Sequence, residues 1–319
     1  MAAYEPIPIK ELKIKKGFEE RYQKILGERY DEFLECSTSY IRKSIRVNGL
    51  KIGVKECVKR LSKNWVLEPI PWCKEGFWIT HRREKRFDIG NTPEHQLGYI
   101  YVQDAASMLP PVVMKPKKGS VVLDLCASPG SKTTQLAAMM ENQGVLIAND
   151  VQGSRIKPLG MNLMRCGTTN TIITQMSGVG FKKHEGRYDF ILVDAPCSGT
   201  GTVRRSLKTL QMWSPGLVKK MAGIQKQLLL AASTALKPGG VLVYSTCTLE
   251  PEEDEGMVSN ILELTDLETE DIKLDIVRSD PVVEWEGKEY ADGVRKCLRI
   301  YPQDNDTEGF FVARMRKKK

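Results

Sequence analysis

Short apolar runs alternate with amphipathic segments along the chain from about residue 121 onward. The apolar runs predict buried strands at 121–125, 144–150, 171–174, 190–194 and 241–244, with a last strand at 310–314. Helices are predicted between them at about 132–141, 154–166 and 215–236, followed by one that has Pro251 in its first turn. Apolar strands separated by helices are typical of a mainly parallel sheet covered on both faces. We therefore predict an α/β domain over residues 93–319.

The first ninety-two residues follow a different pattern. Residues 41–47 alternate between apolar and polar positions, which predicts a half-exposed strand. Residues 54–61 read as a helix, and 66–70 and 76–80 as two further strands. Residues 1–92 are therefore predicted to form a small α+β module ahead of the main sheet.

Composition narrows the class of protein. The chain has 319 residues, of which 41% are hydrophobic and 28% charged, which suits a globular protein of two domains. No apolar run reaches the length of a transmembrane helix, and the first residues lack the pattern of a signal peptide. We therefore expect a cytoplasmic protein without a membrane association.

Eight cysteines are spread along the chain, no two of them closer than sixteen residues. No C-x-x-C spacing exists, and only three histidines accompany them, so we expect no metal site. In the cytoplasm these thiols would stay reduced. Cys36, Cys57, Cys166 and Cys297 are expected to be packed core thiols.

Positive charge is gathered into clusters. Lys and Arg total 48 against 40 Asp and Glu, and basic residues concentrate at 82–86, 115–118, 203–205 and 314–319. Any one cluster is adequately explained as a solvated face or a chain end. The four together favour a nucleic-acid partner, because neutralising backbone phosphates needs several cations along one surface.

A turn of small residues, 124–133, follows the first strand of the α/β domain. Ligands of open α/β sheets bind beyond the carboxyl ends of the strands, and Gly130 would allow close approach there. Asp150 ends the second strand twenty residues later, where an acidic side chain can accept hydrogen bonds from ribose hydroxyls. Taken singly, these residues fit an ordinary tight turn and a helix N-cap; together they favour a nucleotide-like cofactor. The turn has neither dinucleotide-binding nor P-loop glycine spacing. Its Ser-Pro-Gly-Ser-Lys sequence points instead toward S-adenosylmethionine.

Two cysteine motifs each close a predicted strand. Asp194-Ala195-Pro196-Cys197-Ser198-Gly199 follows one strand, and Tyr244-Ser245-Thr246-Cys247-Thr248 follows the next. Cysteine is a nucleophile as the thiolate, and two thiols beside a cofactor turn indicate covalent chemistry. The acidic run 250–255 would disfavour a thiolate at Cys247, so its carboxylates are expected to face the N-terminus of the following helix.

The paired motifs resemble those of the RNA cytosine-5 methyltransferases of the Sun-domain (RsmB-like) family. The resemblance extends to the cofactor turn, to 149–167, and to the segments 44–48, 98–107 and 309–313. It covers about residues 20–315, and the length is most similar to compact archaeal tRNA methyltransferases. This resemblance implies a Rossmann-like, S-adenosylmethionine-dependent methyltransferase domain with an RNA-binding N-terminal module.

The same resemblance implies roles for individual residues. Cys247 would add to C6 of cytosine, Cys197 would help remove the C5 proton and release the enzyme, and Asp194 would bind the N3/N4 edge of the base. Ser177 stands where many members have an aspartate that contacts adenine. The implied cofactor residues are Cys126, Ala127, Ser128, Pro129, Gly130, Ser131, Lys132, Asp150, Arg155, Ser177 and Asp194.

Alternatives differ in substrate and in class. The expected partner is RNA, with tRNA ahead of rRNA, and the expected state is a monomer. A DNA cytosine-5 methyltransferase would resemble a single Pro-Cys motif, which the second cysteine here argues against. A non-catalytic RNA-binding or ribosome-assembly factor of the same fold would be favoured by loss of either cysteine. A small-molecule methyltransferase is disfavoured by the basic clusters and the extra module.

Overall fold

A computed structural model describes residues 14–83 and 88–319. An antiparallel sheet of four strands, in the order β2-β3-β1-β4, forms the centre of the N-terminal module. Its strands are β1 (Ser44–Val47), β2 (Trp65–Ile70), β3 (Cys73–His81) and β4 (Ile100–Val102). The helices of this part are α1 (Lys16–Leu26), α2 (Tyr30–Thr38), α3 (Val54–Leu61) and α4 (Pro93–Gln96).

Strand β1 corrects one expectation from the sequence. The alternation over 41–47 predicted a half-exposed strand, but β1 begins at Ser44 and all four of its residues are buried. Ile45 and Val47 face the core of the module, as the pattern indicates. Arg46 points the other way and is buried against the second domain, so a polar position in the pattern does not mark a surface here.

The second domain is built on one large mixed sheet in the order β10-β14-β9-β8-β5-β6-β7, with β13 paired to β14. Its strands are β5 (Val121–Asp124), β6 (Val145–Asn149), β7 (Thr171–Thr174), β8 (Tyr188–Asp194), β9 (Leu236–Thr246), β10 (Leu267–Glu270), β13 (Leu298–Ile300) and β14 (Phe310–Lys317). The hairpin strands β11 (Glu284–Trp285) and β12 (Lys288–Glu289) form a separate pair. Strands β5 to β9 are parallel, and β10, β13 and β14 add antiparallel partners.

Helices cover both faces of this sheet. They are α5 (Leu109–Met114), α6 (Ser131–Met139), α7 (Gly153–Cys166), α9 (Pro215–Ala235) and α10 (Glu255–Leu264). The short helices α8 (Lys208–Met212) and α11 (Pro302–Asn305) pack with the N-terminal helices. Alternate residues of the central strands point to opposite faces, so Leu192 packs beneath α5 and α6 while Ile191 packs beneath α9. The arrangement confirms the predicted α/β fold with a small N-terminal module.

Helix α10 begins later than the sequence predicts. Residues 251–254 form a turn, and the helix starts at Glu255 rather than around Pro251. The sequence predicts that the acidic side chains of this turn face the helix N-terminus. Glu255 lies in the first turn of the helix and Asp254 at its N-cap, where Asp254 makes no capping bond. Its carboxylate and that of Glu255 bind the buried guanidinium of Arg299 instead.

Helices α1 and α2 lie against the second domain rather than apart from it. Phe18 and Tyr22 of α1 stack on each other and pack with Trp213 and Leu249. Leu249 is two residues beyond Cys247, so the N-terminal helices help support the loop that follows that thiol.

The basic clusters divide into two kinds. Arg204 is buried, and Arg314 and Arg316 pair with Glu270 across two neighbouring strands, so these arginines serve the fold. Lys115 and Lys117 are exposed. Part of the cluster at 82–86 lies outside the described residues, as does the start of the chain.

Within 14–83 and 88–319, no helix is long and apolar enough to cross a membrane. The same residues contain no group of three or more His, Cys, Asp or Glu side chains arranged to hold a metal ion.

Candidate active site

The predicted cofactor turn connects β5 to α6 at the carboxyl edge of the parallel strands. Gly130 has φ +103°, in the left-handed region that favours glycine. A Cβ there would lie 3.1 Å from Leu159 Cδ1 of α7, so glycine lets the turn pack tightly against that helix. Immediately after it, α6 begins at Ser131, with the free N–H groups of a helix N-terminus. This is a suitable cradle for the polar end of a nucleotide-like cofactor.

Asp150 and Arg155 lie beside this turn. Asp150 follows β6, and its Oδ2 accepts a hydrogen bond from the Ser128 N–H at 3.3 Å. Arg155 donates to the Ser128 carbonyl at 2.6 Å and lies 3.4 Å from the Asp150 carboxylate. The acid is therefore fixed against the turn at the neighbouring strand end, where the sequence predicted it.

Cys126 also lies in the turn, where its surroundings favour the protonated thiol. Burial raises the pKa of its thiol, and the nearby carboxylates of Asp124 and Asp194 act in the same direction. Because a protonated thiol is a poor nucleophile, Cys126 is suited to shaping the turn and not to covalent chemistry.

Lys132 connects the cofactor turn to the thiol motifs. Its Nζ donates to Asp194 Oδ2 at 2.7 Å and to Ser107 Oγ at 3.1 Å, and lies 5.5 Å from the centre of the Phe310 ring. Burial alone would lower the pKa of this ammonium, but the Asp194 carboxylate outweighs it and raises the pKa. Asp194 is further fixed by Ser245 Oγ at 2.8 Å. A cation and a carboxylate are thus held together between the two strand ends.

The two thiols are in contact. Cys197 Sγ and Cys247 Sγ lie 3.2 Å apart, and both side chains are partly exposed. The hydrogen bond to Cys247, together with burial, raises the pKa of the Cys197 thiol well above its usual value. The contact places both sulfurs together at the two strand ends, and either of them can be the donor.

Backbone contacts fix the loop that follows Cys197. The Gly201 N–H donates to the Cys247 carbonyl at 3.0 Å, and Gly309 donates to the Gly201 carbonyl at 2.9 Å. A Cβ on Gly201 would lie 2.2 Å from the Gly309 carbonyl oxygen, so only glycine fits between these strands. Both cysteine motifs and the start of β14 are therefore locked to one another through main-chain bonds.

Behind the thiols, several carboxylates of the acidic turn 250–255 bind partners within the protein. Glu253 accepts from the Ser198 N–H at 3.0 Å and from Gln225 Nε2 at 2.8 Å. Glu250 is bound by Arg21, Tyr22 and Trp213. Burial raises the pKa of Glu253 to about 7, so this carboxyl is partly protonated near neutrality. The turn supports the loops of both cysteines from behind.

Ser177 is the predicted site residue that the structure connects least directly to the others. It is exposed, it precedes the short 3-10 helix Gly178–Lys183, and its backbone carbonyl accepts from the Gly180 N–H. The neighbouring Met176 is tied to Asn149 at the end of β6, so Ser177 lies on the same edge of the sheet as Asp150.

Several residues of the site were not singled out from the sequence. Ser107 and Phe310 contact Lys132, and Ser245 contacts Asp194. All three lie in segments that the family resemblance covers, so the signal was present, although their contacts are with residues 25 to 178 positions away and could not be predicted from spacing.

Comparison with protein families assigns both parts of the chain. Residues 111–316 match the model described as 16S rRNA methyltransferase RsmB/F. Residues 14–105 match the model described as the N-terminal domain of 16S rRNA methyltransferase RsmF.

Individual relatives agree with these matches. The tRNA (cytosine(49)-C(5))-methyltransferase of Pyrococcus abyssi is 47% identical over 308 residues, which are 96% of this chain and 97% of that protein. Ribosomal RNA small subunit methyltransferase F of Photobacterium profundum is 42% identical over 90% of this chain. The aligned part is 60% of that bacterial protein, so the chain spans well under two thirds of its length.

Solved structures show the same fold. A methyltransferase homologue from Pyrococcus horikoshii superposes with a TM-score of 0.86 at 38% identity, and the alignment covers 97% of each chain. NSun6 from the same organism superposes with a TM-score of 0.84 over 96% of this chain and 98% of the other, at 24% identity.

Proposed function

The chain belongs to the RsmB/F methyltransferase family, and on this premise we propose that it methylates C5 of cytosine in RNA, with tRNA as its substrate. The observation that supports this most directly is the contact of Cys197 and Cys247 at 3.2 Å, beside the ion pair of Lys132 and Asp194. A thiol pair next to a cofactor turn provides a nucleophile and a proton acceptor, which C5 methylation of a pyrimidine requires.

Cytosine C5 is a weak nucleophile, and the proposed role of Cys247 is to change that. Its thiolate would add to C6, forming a carbon–sulfur bond and moving electron density to C5. C5 could then accept a methyl group as a carbanion-like centre. Asp194, kept in place by Lys132 and Ser245, would bind the N3/N4 edge of the base and stabilise the charge that develops on the ring.

Cys197 would complete the reaction. After methylation, C5 carries both the methyl group and a proton, and that proton must leave before the carbon–sulfur bond to Cys247 can break. In the proposed reaction Cys197, in its thiolate form, takes the C5 proton and becomes a thiol, the electron pair reforms the C5–C6 double bond, and Cys247 departs as thiolate. A Cys197→Ala variant is expected to retain RNA as a covalent adduct that survives denaturing gel electrophoresis, whereas a second variant that also lacks Cys247 should not.

S-adenosylmethionine, when bound, supplies the methyl group. The residues that would hold it are those of the turn from Cys126 to Lys132, with Asp150 and Arg155 on one side. Gly130 and the N-terminus of α6 form the cradle, and Asp150 is fixed at the adjacent strand end, so the site has the shape and polarity that such a cofactor needs. Ser177 is the proposed adenine contact.

The choice of tRNA rests on similarity over the whole chain. The archaeal relative named for tRNA aligns with nearly all of both proteins, whereas the bacterial relatives named for rRNA have a further part that this chain does not match. We take a monomer in the cytoplasm as the acting form. Methylation of rRNA is the second candidate, because those bacterial relatives are 42–43% identical over 90% of the chain.

Labelled S-adenosylmethionine tests the proposal. The protein is incubated with unmodified tRNA and rRNA transcripts in parallel, and 5-methylcytidine is quantified in the digested products. Label in 5-methylcytidine from tRNA alone is the expected result. Label from rRNA alone would replace the substrate and keep the reaction. No label in either RNA, with cofactor binding intact, would contradict the proposal and favour a non-catalytic RNA-binding factor.

A further inference from the structure

One arginine of the N-terminal module reaches directly into the first turn of the helix that follows the cofactor turn. Arg46, in the central strand β1, donates from Nη1 to the Ser131 carbonyl at 2.9 Å and from Nη2 to Thr134 Oγ1 at 2.9 Å. Nη1 also donates to Gln103 Oε1 at 2.8 Å and to Gln135 Oε1 at 3.2 Å. Three of these four acceptors belong to residues 131–135, at the start of α6.

This arginine is an unusual buried cation. It is 2% exposed, and burial lowers the pKa of its guanidinium. Within the described residues all of its hydrogen-bond acceptors are neutral, whereas Arg299, equally buried, binds two carboxylates. A cation near a helix N-terminus also opposes the helix dipole. An apolar residue at this position would stabilise the fold as well as the buried arginine does. The arginine is therefore better explained by the groups that it positions.

What it holds is the part of the site where cofactor and base would meet. Ser131 is the last residue of the turn before Lys132, and Lys132 makes the 2.7 Å ion pair with Asp194. A shift of the Ser131 carbonyl moves the first turn of α6, and with it both the cradle at Gly130 and the base of the Lys132 side chain. The position of the N-terminal module is thereby transmitted to the site by three hydrogen bonds from one side chain.

We propose that Arg46 is a positioning residue that couples the N-terminal module to the cofactor turn, so that RNA and cofactor bind cooperatively. This inference rests on the proposed function in one respect, namely that RNA is the substrate that engages the module. For one buried contact to couple the two binding sites, that contact must change when RNA binds the N-terminal module. Strand β1 is suited to this role because it lies between β3 and β4 in the centre of the module's sheet.

A second arginine provides a matched control. Arg165, at the end of α7, donates to the His95 and Ile100 carbonyls at 2.8 and 3.2 Å, so it joins the same module to the same domain. Both guanidinium groups lie over the ring of Tyr101, Arg46 at 5.6 Å and Arg165 at 5.3 Å. The link from Arg165 to the cofactor turn is indirect: Arg165 Nη2 donates to Asn162 Oδ1 at 3.1 Å, and Asn162 Nδ2 donates to the Pro129 carbonyl at 2.9 Å.

The experiment measures the affinity for S-adenosylhomocysteine by calorimetry, with and without an unmodified tRNA transcript, in the wild type, Arg46→Lys and Arg165→Lys. We expect tRNA to tighten binding in the wild type by a factor of about 5 or more, which is the usual lower range of coupling between two sites. Arg46→Lys should reduce the factor to near 1, because lysine cannot reach four acceptors at once, while Arg165→Lys should keep most of it. By linkage, the affinity for tRNA should change by the same factors when the cofactor product is added.

A more conservative variant controls for a folding defect caused by the substitution of Arg46. Thr134→Val keeps the shape of the side chain and removes one of the four acceptors, and it should give an intermediate coupling factor. An unchanged factor in Arg46→Lys, equal losses in both arginine variants, or no coupling in a wild type that methylates tRNA would each overturn the inference. Absence of methyl transfer by the wild type to any RNA would instead contradict the proposed function, so the two failures are distinguishable.

Discussion

Two charged clusters lie on opposite sides of Cys247, and they differ in how completely their charges are satisfied. Behind it, Arg299 binds Asp254 and Glu255 with every one of these side chains 0% exposed. In front of it, Lys132 and Asp194 form a pair whose side chains are 10% and 27% exposed. The charged groups of the rear cluster bind one another, whereas the exposed part of the front pair can still bind a ligand. The difference separates groups that support the fold from groups that can act on a substrate.

Strand β8 offers the same contrast along its own length. A lysine–aspartate pair with an N–O distance of 2.7 Å lies at each end, Lys237 with Asp189 near the start and Lys132 with Asp194 at the finish. Distance alone therefore does not mark a site. The second pair is distinguished by its place at the carboxyl edge of the parallel strands, beside the thiols and the cofactor turn.

The largest expected effect is on the reaction itself. Cys247→Ala should reduce methyl transfer to RNA by a factor on the order of 10⁴ or more, because the step that activates C5 is lost. Transfer is measured with labelled S-adenosylmethionine. Cys297→Ala is the control, since that cysteine is buried behind the sheet and should leave the rate per folded molecule unchanged. Transfer at the wild-type rate by the Cys247 variant would remove this residue from the role of nucleophile.

Breaking the rear cluster should affect stability instead. Arg299→Met leaves Asp254 and Glu255 buried without their cation, so we expect the free energy of unfolding to fall by about 3–5 kcal/mol. Urea unfolding followed by circular dichroism measures it. Arg295→Met, which breaks an exposed pair with Asp292, should change it by less than about 0.5 kcal/mol. Equal losses in the two variants would show that burial does not distinguish these pairs.

The two ends of β8 sharpen the comparison further. Lys132→Met should lower kcat by about 10²–10³, as expected when a charge that orients a catalytic carboxylate is removed, with little loss of fold. Lys237→Met breaks a pair with the same N–O distance and should leave kcat unchanged. Steady-state kinetics on tRNA give both values. A comparable decrease in kcat for both variants would mean that Lys132 acts through the stability of the sheet.

The smallest effect concerns pH. Burial raises the pKa of Glu253 from 4.5 to about 7, so the folded protein holds this proton more tightly than the unfolded chain. The contribution of Glu253 to stability is therefore largest below about pH 4.5 and is lost as the pH rises through 7, by up to about 3 kcal/mol. Glu253→Gln should reduce the fall in unfolding free energy between pH 5 and pH 8.

Urea unfolding at these two pH values tests this last expectation. Asp124 and Glu308 also have a pKa raised to about 7 by burial, so part of the pH dependence should remain in the Glu253 variant. Glu252→Gln is the control, because its carboxylate is partly exposed at the surface of the same turn. If both variants lose stability with pH as the wild type does, the titration belongs to other groups.

The main sheet could be predicted from the sequence because its central strands are apolar on both faces and separated by helices. Strands β10 and β13 could not, since they join the sheet by antiparallel pairing with β14. The same limit explains β1, where a polar residue in an alternating pattern was assigned to solvent. Arg46 is buried because acceptors from another domain surround it, which no local pattern contains.

The sequence by itself determined which residues stand at the carboxyl ends of the parallel strands, including the cofactor turn, Asp150, Asp194 and both motif cysteines. This follows because parallel strands bring those ends to one edge of a sheet whatever the loops do. Only the tertiary structure decided their partners: that Lys132 binds Asp194, that the two thiols touch, and that carboxylates of the acidic turn bind Arg21 and Arg299. These contacts join residues that are far apart in the chain. They depend on how helices and domains dock, and local sequence patterns do not determine that docking.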